Sequence, residues 1–141
     1  LPPPASPAGR GDARRIGPKG NPAMFHTDDE RAAETARLND IARTNPQRVN
    51  AAWFTTRGVA ALVGDDPGKR RAQVEAVASF ADFSEDNDPY GERDLGAFTF
   101  WGERLLWKID YYHPERDEHS PIKWSAELTR RVLTLMLASE Y

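Results

Sequence analysis

The segment Leu95-Gly-Ala-Phe-Thr-Phe-Trp-Gly-Glu-Arg-Leu-Leu-Trp-Lys-Ile-Asp-Tyr-Tyr112 carries the strongest β pattern in the chain. Gly102-Glu103 reads as a two-residue connection with Gly first, which suits a type II′ turn. That register pairs Phe100 with Leu105, Phe98 with Trp107 and Gly96 with Ile109. One face then collects Phe98, Phe100, Leu105, Trp107, Ile109 and Tyr111 and is expected to face the core. The other face carries Thr99, Leu106, Lys108, Asp110 and Tyr112. A hairpin over 97–112 is therefore the element around which the fold is predicted.

Immediately before it runs Asp82-Phe-Ser-Glu-Asp-Asn-Asp-Pro-Tyr-Gly-Glu-Arg-Asp94, with six carboxylates against Arg93, a net of −5. Extending the hairpin pairing outward folds this loop back over the end of the second strand. Asp88, Glu92, Asp94, Asp110, Tyr112 and His113 would then converge on one patch, with Asp86, Asn87 and Tyr90 on the loop itself. Crowded carboxylates repel, which raises some of their pKa values or recruits a hard cation held by oxygen ligands. The competing reading is structural. Asp88-Pro89-Tyr90-Gly91 suits a type I or type II turn, with Pro89 fixing φ, Gly91 allowing φ > 0 and Tyr90 packing down as an anchor. An EF-hand is excluded, because position twelve counted from Asp86 is Ala97 where a bidentate Glu is required. Metal ligands are not assigned, and no cofactor is called for. The second candidate surface is a binding edge at Trp101 and Arg104, beside the turn.

The loop Glu85 to Asp94 resembles the signature of the DUF3768 family, short bacterial proteins of unknown function with an Asn-Asp-Pro-Tyr-Gly-Glu motif before an aromatic hairpin. Trp107 to Tyr112 and Val132 to Tyr141 extend the resemblance. Arg93 stands where the family pattern has His, so no mechanism that needs a His inside the loop carries over. The resemblance implies a bacterial protein associated with plasmids and other mobile elements, and an accessory or anti-defence role. It implies no reaction.

Outward from the hairpin, Thr27-Asp-Asp-Glu30 is a capping box that opens a helix. Leu38, Ile41 and Ala42 lie on one face of it, and Pro46 ends it near Thr44. The narrow, Ala-rich stripe predicts packing at the domain's edge. Val49 to Thr56 reads as a strand with Val49, Ala51, Trp53 and Thr55 on one face. Val59 to Val63 is either a short strand or one helical turn. Asp66 and Pro67 start a second helix, with Val74, Val77, Ala78 and Ala81 inward. Past a polar loop from His113 to Lys123, Ser125 is expected to cap a final helix, on which Leu128, Val132, Leu135 and Met136 form a stripe. The fold class is α+β: a small antiparallel sheet, made of the hairpin 97–112 and strand 49–56, packed against helices on one face in the order α-β-α-β-β-α.

The chain of 141 residues suffices for one domain with a real core. Residues 24–141 are expected to form it. Residues 1–23, rich in Pro, Gly and Arg, read as a disordered or expression-derived tail. There is no cysteine, which excludes disulfides and Cys-ligated zinc. No apolar run approaches the roughly 18 residues of a membrane span, and no signal-peptide core is visible. These features point to the cytoplasm. A net charge of −3 gives no electrostatic case for nucleic-acid binding. Gly-x-Ser-x-Gly, phosphate-loop and His-Glu-x-x-His motifs are absent. The functional expectation is a non-enzymatic module that binds a protein partner through the acidic loop, with homo-oligomerisation left open. The alternative is a small hydrolase, with or without a divalent metal, built on Asp88, Glu92, Asp94 and Asp110.

Overall fold

A computed structural model describes residues 22–141. The expected tail lies, but for its last two residues, outside the described residues. Helix α1 (Asp28–Thr44) begins with the capping box expected of Thr27 and Glu30: Glu30 N donates to Thr27 Oγ1 at 3.0 Å, and Thr27 N donates to Glu30 Oε1 at 2.9 Å. Strand β1 (Ala51–Thr55) is followed by α2 (Arg57–Val63), which decides the segment that sequence left open in favour of helix. Helix α3 (Pro67–Ala78) is capped by Asp66, whose carboxylate accepts from Gly68 N and Lys69 N. Then come β2 (Leu95–Phe100), β3 (Glu103–Tyr112) and β4 (Arg130–Leu137).

The last element overturns an expectation. Where the sequence reading placed a helix opened by Ser125, the chain forms a strand, and it is an inner strand of the sheet. The order across the sheet is β1-β4-β3-β2, with β4 parallel to β1 and antiparallel to β3. The element order is therefore α-β-α-α-β-β-β, within an α+β fold whose sheet is mostly antiparallel. The helical stripe misleads because β4 carries apolar residues on both faces: Leu133 and Leu135 point into the core, while on the other face Val132 is half-buried and Met136 is buried. A strand with apolar residues on both faces reads as a nearly continuous apolar run, and periodicity alone cannot separate it from a helix.

The hairpin carries a second correction. Its connection is Trp101-Gly102, with φ of 48° and 79°, the two positive φ values of a type I′ turn. The register pairs Phe100 with Glu103, Phe98 with Leu105 and Gly96 with Trp107. This slips the expected pairing by two residues, an even step, so every side chain keeps its predicted face. Phe100, Leu105, Trp107, Ile109 and Tyr111 are buried as expected.

All three helices lie against that face. Trp107, fully buried, meets the edges of Phe80 and Phe83 at centroid distances of 5.5 and 6.1 Å. Gly96 lies so close under Trp107 that a Cβ there would sit 2.3 Å from Nε1. On α3, Val77 is buried, but Val74 is 46% exposed and Gln73 takes the inward position instead. Among the described residues no helix is long and apolar enough to cross a membrane.

Candidate functional site

Helix α1 packs on the sheet through polar side chains. Its buried face carries Thr35, Leu38, Asn39, Ala42 and Arg43. This is why its apolar stripe looked narrow: polar residues fill the rest of the buried face, and two of them, Asn39 and Arg43, hold the acidic loop and its approach.

Arg43 works from behind the loop. Its guanidinium donates to the Val77 carbonyl at 2.9 Å and the Phe80 carbonyl at 3.1 Å, capping the C-terminal end of α3. It also reaches Asp40 at 2.6 Å and lies 5.2 Å from the Phe83 ring centroid. Asp40 is shared, because Arg93 bonds its other oxygen at 2.9 Å. Arg93, at φ 55°, also lies 5.0 Å from the Phe83 ring centroid. The loop is thus clamped by two arginines about one aspartate.

Within the loop, Asn87 Oδ1 accepts from Ser84 N at 2.7 Å, and Asp88 N donates to Ser84 O at 2.7 Å. Gly91 N donates to Asp88 O at 3.0 Å, closing the Asp88–Gly91 turn. Tyr90 keeps a negative φ, so the turn is not type II. Asp88 Oδ1 accepts from Arg93 N at 3.0 Å. Tyr90 does not pack down as an anchor; it stands 82% exposed at the tip of the turn. Asp86 is exposed as well.

The exit of the loop is tied to the sheet by a buried polar network. Asn39 Nδ2 donates to the Glu92 carbonyl at 2.9 Å and to Tyr111 Oη at 2.8 Å, and Tyr111 donates its hydroxyl proton to Asp94 Oδ2 at 3.1 Å. Arg131, fully buried on β4, donates from Nε to Asn39 Oδ1 at 2.8 Å and from its second amine to the Lys123 carbonyl. Lys123 pairs with Glu92 at 3.1 Å and stands 5.3 Å from the Tyr111 ring. Burial pushes the Asp94 carboxyl above its ordinary range; Glu92 and Asp88 push the same way, and the Tyr111 hydroxyl bond opposes them. Burial raises the Tyr111 phenol and pulls the Arg131 guanidinium down to about 10.

The expected convergence is therefore partial. Asp88, Glu92 and Asp94 share one electrostatic neighbourhood at the loop's exit. Asp110 lies on the opposite face of β3, paired with Lys108 at 2.8 Å. Tyr112 shares that outer face and stacks on His119 at 4.9 Å. His113 Nδ1 accepts from Glu115 N and Arg116 N at 3.1 Å each, closing its own loop. Among the described residues no group of three or more His, Asp or Glu is placed to hold a metal ion. The second candidate surface is real as exposure: Trp101 is 57% exposed under Lys69 Nζ at 5.5 Å, and Arg104 donates to Thr99 at 3.2 Å. A hollow of about 150 Å³ runs from Asp82 and Asn87 to Arg104, so the loop and this edge border one depression.

Sequence reasoning missed Asn39, Arg43, Lys123 and Arg131. The first two carried a signal, a polar side chain at helical spacing inside the Leu38–Ala42 stripe. Arg131 carried one only under a strand reading, where it alternates with Leu133 and Leu135.

Residues 55–140 match a family model described as a protein of unknown function (DUF3768). No curated protein and no solved structure matches the chain.

Proposed function

The chain belongs to the DUF3768 family, and from that premise we propose that it is a non-enzymatic protein-binding module that docks a partner through the acidic loop. The observation that carries the reading is Tyr90, 82% exposed on a turn whose backbone is fixed from behind. An exposed aromatic on a pre-organised loop loses little entropy on binding and is the usual kind of interface anchor. Glu85 and Asp86, earlier in the same loop, are exposed to solvent, while Asp88, Glu92 and Asp94 are committed to internal bonds. The loop thus offers charge for steering and Tyr90 for anchoring. Such a surface suits a basic site on a protein partner, including one that otherwise meets nucleic acid, and so an accessory or anti-defence role of a bacterial mobile element. Affinity capture from host extract tests it: the wild-type chain is expected to retain a specific partner that the double variant Tyr90→Ala, Asp86→Ala loses. Identical capture by both chains sinks the reading.

One observation favours a second reading, a small hydrolase. The Asp94 carboxyl is held above its usual range beside a buried tyrosine, a perturbation also found at catalytic acids. An ester and phosphoester panel run with Asp94→Asn tests it, and turnover unchanged by that substitution removes it.

A further inference from the structure

We propose that the hollow between the end of β1, α2 and α3 binds an N-acylated amino-acid carboxylate, the chemistry shared by a free acylamino acid and by the last residue of a polypeptide. The site shares no residue with the acidic loop and does not depend on its role.

The hollow measures about 210 Å³ and is lined by Thr55, Val59, Ala60, Val63, Arg70 and Gln73. Gln73 is 8% exposed, and its Oε1 is shielded from solvent without a hydrogen-bond partner among the described residues. A buried amide oxygen left unpaired loses its hydration without a replacement hydrogen bond and destabilises the fold. The placement is the reverse of what packing alone selects, because the next residue, Val74, is 46% exposed while the carboxamide points inward. A valine at the surface and an unmet amide in the interior make sense when something else completes the amide.

The other walls say what. Val59, Ala60 and Val63 give an apolar side to the hollow. Arg70 is exposed on α3, and its guanidinium reaches toward the Gly64 carbonyl at 3.5 Å, which sets a cation on the rim. A ligand that satisfies all three presents an amide to Gln73, a small apolar group to the valines and an anion to Arg70. An amide offers both N–H and C=O, so it matches the Gln73 carboxamide whichever way that group is turned. Arg pairs with a carboxylate through two parallel hydrogen bonds. The volume lies below the roughly 300–1,000 Å³ of ordinary small-molecule sites, which restricts the occupant to about one small residue.

The test is a ¹H–¹⁵N NMR titration of the whole chain with N-acetylalanine. Saturable shifts are expected at the Gln73 side-chain amide and along Val59 to Gly64. Arg70→Gln and N-acetylalaninamide, which lacks the carboxylate, should each weaken binding by about tenfold, as loss of one charged hydrogen-bonded pair does. Gln73→Leu should abolish binding while raising the thermal midpoint, since it removes the unmet amide. Arg71→Gln, an exposed change on the same helix, should alter nothing. A peptide ending in a free alanine carboxylate distinguishes the source: tighter binding than N-acetylalanine assigns the site to a polypeptide terminus, and equal binding to a free acid. No saturable shift up to about 20 mM ligand, a weakness beyond any specific site of this kind, overturns the proposal. So does binding that Arg70→Gln leaves as tight as in the wild type, and that variant serves alone should Gln73→Leu not fold.

Discussion

Asn39 uses both ends of its carboxamide. One end donates to the Glu92 carbonyl and the Tyr111 hydroxyl, and the other accepts from Arg131. Asn39→Ala would leave a buried guanidinium and a buried phenol short of partners at once. The expected loss is about 2–4 kcal/mol, read as a lower urea midpoint with an unchanged slope. Asp94 works in the opposite sense. Its folded pKa is raised above the ordinary 3.8, chiefly by burial, so the folded chain binds more protons than the unfolded chain once pH passes that value. Its contribution is fully present below pH 3.8 and is lost as pH rises through the folded pKa. Asp94→Asn should therefore be more stable than wild type at neutral pH, with the difference vanishing in acid; matched denaturation curves across pH check the sign. A raised carboxyl among Asp88, Glu92 and Asp94 was legible from the crowding of acids, although burial is its chief cause, whereas the Asn39 network was not legible from residue types. An Asn or an Arg in a helical stripe ordinarily reads as a flaw in the stripe, and only the partner's position turns it into a connection.

At the level of elements, the faces were legible and the connections were not. The hairpin's alternation put Trp107 and Tyr111 inward under either register, because a slip of two preserves parity. What parity cannot choose is the turn, and Trp101 at positive φ is a poor guide where Asn is the usual occupant. The cap at Thr27 was legible because a capping box is a local device whose two partners lie three residues apart. Strand β4 was not, since its partners β1 and β3 are far away in sequence and the apolar residues on both its faces blur the period of two. Gly96 shows how closely the hairpin is fitted to the layer above it. Gly96→Ala would drive a Cβ to within 2.8 Å of Phe80 as well as onto Trp107. A destabilisation of about 2–3 kcal/mol is expected, with a matching fall in thermal midpoint, because the obstructing atoms belong to buried rings that cannot step aside.

For the whole molecule, the sheet is closed at a distance by Glu140. Its carboxylate accepts from Thr56 Oγ1 at 2.6 Å, Leu137 N at 2.8 Å and Gly58 N at 3.2 Å, so the segment after β4 is knitted to the start of α2. These bonds, the Thr56 hydroxyl first, lower its pKa below the ordinary 4.5. The linkage sign follows: the stabilisation is present above pH 4.5 and is lost as pH falls through the folded value. Glu140→Gln should be less stable than wild type near neutrality and indistinguishable from it in strong acid, as thermal midpoints at both pH values would reveal. The α+β class was readable because it survives one misread element: the hairpin, strand β1 and helices α1 and α3 suffice for it. The strand order was not, because it depends on which edges meet.

The place of β4 in that order has a consequence for how the chain comes into being. The strand that joins β1 to the hairpin is made after both of them. At roughly 5–20 residues per second of synthesis, β1 waits several seconds for its strand neighbour to emerge from the ribosome. β1 stands without its strand neighbour for all of that interval, and from the completion of β3 until β4 follows the border of β3 that β4 will cover is bare as well, each a template for pairing with a neighbouring polypeptide. Crowded translation of one message is therefore the moment at which this fold is most exposed to error.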